Sequence, residues 1–185
     1  MSARIQPAPP PYPAEIQAVM DRLPRAWNPP FRFFTTMARD PRLFQRITSG
    51  ALIDKGHLTL RQREIVIDRV TAQCQNEYEW GLHVNLYAEK AKLSDAQVRA
   101  TVHGGPDDPC WDATDRLLIR LCDELHATCD VSDGLWTDLR AVFGEEAIME
   151  LLMLAGYYRM NSYLCRGLRF PLEPGGRAFP EQERP

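Results

Sequence analysis

No apolar run in this chain approaches the roughly 20 residues that a bilayer span requires. The longest, Ala147 to Leu154, is broken by Glu150 and reads as a core helix. The N-terminus has no apolar h-region, so it is not read as a secretory signal. Charge of one sign is not blocked: 22 basic and 25 acidic residues are interspersed, for a net charge of -3. That excludes a phosphate-tracking stripe, so neither nucleic acid nor an anionic membrane is an expected partner. The five cysteines (Cys74, Cys110, Cys122, Cys129 and Cys165) are odd in number and without framework spacing, and reduced thiols in a cytoplasm account for them. The chain has no Cys-x-x-Cys and no His-Glu-x-x-His, so a metal site is not expected. No segment alternates with period two, and strands are not expected.

What is present is an ordinary globular balance, 44% hydrophobic and 25% charged over 185 residues, enough for one core. A Pro-rich arm, residues 1–13, either wraps the surface or stays mobile, and residues 14–170 read as a single all-helical domain. Residues 171–185, rich in Pro, Gly and charge, read as a poorly ordered tail. A first helix from Ala14 to Leu23 is stopped by Pro24, with a turn at Asn28-Pro29-Pro30 and a second short helical run from Phe31 to Ala38. Asp40 with Pro41 starts a third helix. Thr59 with Gln62, and Ser94 with Gln97, have the spacing of capping boxes. Helices are further expected over 76–90, 111–128 and 135–143, the last ending at Gly144, and from Glu145 to about Leu168.

The chemistry concentrates in Cys74-Gln-Asn-Glu-Tyr-Glu-Trp-Gly-Leu-His83, one helix after Glu64. Residues three and four apart share a helix face, so Asn76, Glu79 and His83 fall on one stripe. Leu60, Glu64, Ile67, Thr71 and Cys74 follow the same alternation, which places Glu64 where an apolar residue would pack better. If the two helices pair as an antiparallel hairpin, Glu64 approaches His83. A carboxylate on an imidazole N–H fixes the tautomer and raises the basicity of the ring, and Glu79 beside it supplies a second acid–base group. The plainer alternative is an exposed Glu79–His83 pair of a few tenths of a kcal/mol. Cys74 alone fits a small buried hydrophobe better than a nucleophile. His57 and His103 read as surface residues, and Cys122, Cys129 and Cys165 as structural. Arg159, Asn161 and Tyr163 on the last helix are candidates to face the site, and spacing does not choose among them.

The stretch from Leu58 to Val70, the segment Cys74 to His83 and the run Ala88 to Val98 resemble the carboxymuconolactone decarboxylase family, also called the alkyl hydroperoxidase D-like superfamily. The likeness spans about residues 40–165 and is sharpest from Leu58 to Val98. It implies an all-α, alkyl hydroperoxidase D-like helical bundle with a central helical hairpin, assembling as dimers, trimers or hexamers. In the peroxidase branch an upstream Glu, a Cys-x-x-Cys pair and a following His form a thiol proton relay. Here Glu64 takes the Glu position and His83 the His position, while Asn76 and Glu79 stand where the cysteines would be. Without that pair the dithiol–disulfide cycle cannot run. Cys74, two residues before the first cysteine position and so about 200° around a helix, is no simple substitute.

The expectation is therefore a cofactor-independent acid–base enzyme acting on a small lactone or carboxylic acid through Glu64, Glu79 and His83. A one-cysteine peroxidase using Cys74 is the alternative. A non-catalytic oligomeric protein that binds a small molecule is the third reading.

Overall fold

In the computed structural model the chain is described over residues 3–23, 29–52 and 54–182. The expected helix stop at Pro24 and the Asn28 part of the following turn lie outside the described residues. Nine α-helices run α1 (Ala14–Met20), α2 (Arg32–Met37), α3 (Pro41–Ser49), α4 (Leu60–Gln73), α5 (Glu77–Tyr87), α6 (Asp95–His103), α7 (Ala113–Thr128), α8 (Asp133–Val142) and α9 (Glu145–Gly167) among the described residues. These residues contain no strand, and none of their helices is long and apolar enough to cross a membrane.

The helix starts follow from satisfying the first backbone N–H groups. Thr59 and Ser94 each accept from the backbone N–H three residues on, while Gln62 and Gln97 reach back to complete capping boxes. Asp40, Asp112 and Ser132 do the same single-sidedly for α3, α7 and α8. Asn76, expected inside α5, caps it instead: its side-chain oxygen accepts from Glu79 N, so the helix begins one residue later. The same helix ends at Tyr87 rather than Lys90; Ala88 is its C-cap, and Lys92 at φ 56° turns the chain toward α6.

Helix α4 is the axis of the fold. Ile65, Val66, Ile67, Val70 and Ala72 are buried on several sides, because α5, α6, α7 and α9 all pack against it. A helix apolar around most of its circumference belongs in the interior. The main core joins these residues to Trp80, Leu118, Leu121, Leu139, Leu151 and their neighbours. A second apolar cluster is built by α1, α2 and α3, with Ile16, Phe33, Phe44 and Ile47, against Tyr78 and Leu82 of α5 and Cys165 of α9. The seam between the two clusters is where the polar side chains of α5 emerge.

The arm wraps the surface: Arg4 N donates to Leu168 O and Ala8 N to Thr35 O. The tail, read from composition as poorly ordered, lies along α5. Tyr78 Oη donates to Glu173 Oε1 at 2.6 Å, Asn85 Nδ2 to Gly175 O at 3.1 Å, and Phe179 N to Glu77 Oε1 at 2.7 Å. Phe179 also packs edge-on against Trp80. A Cβ at Gly81 would overlap the Arg177 carbonyl, so the absence of a side chain there is what lets the strap cross the helix.

Candidate active site

The hairpin of α4 and α5 brings together the pair that spacing suggested. His83 Nδ1 lies 2.7 Å from Glu64 Oε2, and both side chains are almost completely buried. The other oxygen of Glu64 accepts from Arg63 Nε at 3.2 Å, so this carboxylate is fully engaged. On the far side of the ring, Nε2 is 3.6 Å from Glu79 Oε1, one helical turn earlier. That distance exceeds a hydrogen bond, which leaves Nε2 free to reach another atom. Glu79 Oε1 is held in turn by Asn161 Nδ2 of α9 at 3.0 Å. Of the three residues on the last helix that spacing could not separate, Asn161 reaches the site. Arg159 and Tyr163 bind each other and do not line the cavity.

Two rings fix the imidazole: Tyr158 meets it edge-on at 5.0 Å between centroids, and Tyr87 lies tilted at 5.5 Å. Asn76 Nδ2 donates to Ser162 Oγ at 3.0 Å, tying α5 to α9 behind Glu79. Burial alone would lower the His83 pKa. The charge of Glu64 and its hydrogen bond, with Glu79 adding to them from 3.6 Å, outweigh burial and raise the ring to about 10. At neutral pH the ring is therefore an imidazolium, flanked by Glu64 and Glu79.

The site opens into a cavity of about 140 Å³. Glu79, His83 and Asn161 supply its polar wall. Phe31, Phe33 and Phe34 around α2, Val19 and Leu23 around α1, and Leu86, Tyr87, Tyr157 and Tyr158 supply an apolar one. An apolar cavity near 150 Å³ is large enough for a benzene ring. Among the described residues no group of three or more His, Cys, Asp or Glu has an arrangement that could hold a metal ion.

Cys74 is placed elsewhere. It is the C-cap of α4, half-buried, and does not line the cavity; burial pushes its thiol up, so thiolate is disfavoured. Cys165 stands closer to the site, donating from Sγ to Asn161 Oδ1 at 3.0 Å, and burial followed by the charge of Glu79 also raises its pKa.

One residue of this region escaped the sequence reading. Asp68, one turn beyond Glu64 on α4, is fully buried and neither carboxylate oxygen has a hydrogen-bond partner. Burial, then the charge of Glu64, pushes its pKa well above the usual carboxylate range, so the charged form is disfavoured. The signal was available: Glu64 and Asp68 are four apart within a run of Ile and Val.

Comparison with protein-family models and with curated proteins returns no match for this sequence. Solved structures do match. A peroxidase-related protein from Silicibacter sp. TM1040 aligns with a TM-score of 0.78 at 13% identity, over 94% of this chain and 93% of that one. A peroxidase-related protein from Ralstonia eutropha JMP134, described as an alkylhydroperoxidase AhpD core, gives 0.78 at 16% identity over the same shares. A protein of unknown function from Agrobacterium tumefaciens, with a proposed AhpD-type antioxidant role, gives 0.67 at 17% over 74% of this chain and 94% of that one. At these identities the comparison carries the architecture: the chain has an AhpD-like all-helical fold.

Proposed function

We propose that the cavity is the active site of a cofactor-independent acid–base enzyme whose substrate is a small, largely apolar ring compound carrying a lactone, carbonyl or carboxyl group. The observation that carries this reading is the free face of His83. Its Nδ1 is committed to Glu64, while Nε2 and Glu79 Oε1 stand 3.6 Å apart at the wall of a ring-sized cavity.

In this reading Glu64 is a positioning residue that keeps the ring protonated and oriented. Glu79, held by Asn161, takes a proton from a carbon next to the substrate carbonyl. His83 Nε2–H gives a proton to the carbonyl oxygen as charge develops there, and the product is the enol. The proton on Glu79 then returns to Nε2, restoring both groups without any external donor. Run on a β-keto or vinylogous acid, the same imidazolium protonates the enolate left when carbon dioxide departs, and one proton from solvent restores the ring. Positioned acid–base groups of this kind contribute roughly 10²–10⁴ in rate. The test is turnover of cyclic lactones and keto acids by wild type, His83→Gln and Glu79→Gln. Activity in the wild type that both variants lose supports the assignment; variants as active as wild type end it.

A thiol peroxidase reading draws on the peroxidase-related descriptions of the structural neighbours. Its candidate thiol, Cys74, is outside the cavity lining. Peroxide reduction with a small thiol reductant that disappears in Cys74→Ser would favour this reading over the first.

A further inference from the structure

The outer face of α9 carries a feature that the packing of one chain does not use. Met149, Met153, Met160 and Tyr163 are 57%, 62%, 41% and 64% exposed. Their spacing of four, seven and three residues puts them on one helical stripe, and Gly156 completes it as the exposed residue between Met153 and Met160. The stripe runs about 21 Å along the helix from Met149 to Tyr163. Arg159 Nε donates to Tyr163 Oη at 3.0 Å, so the exposed ring is held in place.

Gly156 is the informative residue. A glycine inside a helix is destabilising relative to alanine, and here a Cβ would meet nothing within 4 Å. Nothing in the chain itself asks for the missing side chain, whereas close approach of a second backbone would. A shallow groove of about 170 Å³ beside it, bordered by Leu125, Leu152, Ala155 and Arg159, gives an incoming methionine a place to enter.

We infer that this face of α9 pairs antiparallel with α9 of a second copy of the chain, about a two-fold axis at Gly156. The sequence is self-complementary about that point. Seven residues to either side stand Met149 and Tyr163, so each methionine meets the partner's tyrosine. Ten and eleven residues before it stand Glu146 and Glu145, and ten after it Arg166, so the acidic first turn of each helix lies beside the basic last turn of the other. A parallel pair would set like charges together, and a two-fold contact of this kind is closed, as soluble dimers require.

The test uses the full chain. Light scattering on a gel-filtration column is expected to give twice the 21.2 kDa chain mass, or an even multiple of it, with Met153→Glu halving that mass. Because Met153 is exposed, its replacement leaves the helical circular dichroism unchanged. In a Cys129→Ser background, Gly156→Cys is expected to oxidise to a covalent dimer bridged at position 156, since residues on the axis fall within disulfide reach. A wild type that stays at the single-chain mass, or a Met153→Glu variant that keeps the wild-type mass, overturns the interface. A dimer that Met153→Glu splits but Gly156→Cys does not bridge overturns the axis.

Discussion

Helix α4 holds one partner of each of two acid–base pairs, and the pairs behave differently. Near its start, Arg61 grips Asp115 of α7 through two bonds, Nη2 to Oδ2 at 2.5 Å and Nε to Oδ1 at 3.2 Å. Its remaining Nη1 donates to the Lys92 carbonyl at 2.8 Å, with Ala91 O at 3.5 Å. This pair is closed, tying α4, α7 and the α5–α6 connection together. Three residues later Glu64 grips His83 just as firmly, but the imidazole keeps one nitrogen aimed at Glu79 and a cavity. Burial of a charge is therefore not what distinguishes a site from a staple, since Asp115 is as buried and partnered as Glu64. The difference is an unspent valence with space in front of it.

That contrast breaks most sharply under substitution. His83→Gln is expected to reduce turnover by roughly 10²–10⁴ while the helical fold persists, because glutamine can still donate to Glu64. Comparing kcat with circular dichroism on the same samples checks this; a fall in helicity matching the fall in turnover would make His83 a staple. Asp115→Ala is expected to do the reverse. It should cost about 2–3 kcal/mol in urea unfolding, moderated by the partial exposure of Arg61, and leave the turnover of folded protein unchanged.

The pH dependence of stability separates the pairs again. His83 binds its proton more tightly folded than unfolded, where its ordinary value is 6.5. Its contribution is fully present below 6.5 and lost as pH rises through about 10. Unfolding free energy should fall across that window by up to about 1.4 kcal/mol per pH unit, and His83→Gln should flatten the slope. A slope unchanged in the variant would place its source elsewhere. Asp68, also raised, adds loss in the same direction above its ordinary value of 3.8. The smallest effect is expected from Asp68→Leu, which removes two partnerless oxygens and should stabilise the chain by about 1 kcal/mol in thermal unfolding. Destabilisation would show that the acid has a partner role in the fold.

The sequence carried the helices and their caps well, because capping boxes and 3.6-residue periodicity are local. It also carried Glu64 and His83, since two amphipathic helices joined by a tight turn have few ways to pair. It could not choose Asn161 over Arg159 and Tyr163: the rotation of α9 is set by packing against α4, which is contact between distant segments. Asn76 was read as a member of the polar stripe and serves as a cap, where the same side chain does different work. The path of the tail along α5 was not legible from its composition, because its contacts with Tyr78, Glu77 and Gly81 join segments distant in sequence. Part of the apolar wall of the cavity, Val19, Leu23, Phe31, Phe33 and Phe34, comes from around α1 and α2, whose short, uneven patterns point to no particular neighbour.

The most direct measurement is a nitrogen-detected NMR titration of the His83 imidazole, assigned by its absence in His83→Gln. The ring is expected to be protonated at both nitrogens at neutral pH and to lose its proton near pH 10. A midpoint near the ordinary 6.5 would contradict it, because Glu64 and Glu79 would then not be holding the proton that the proposed chemistry uses.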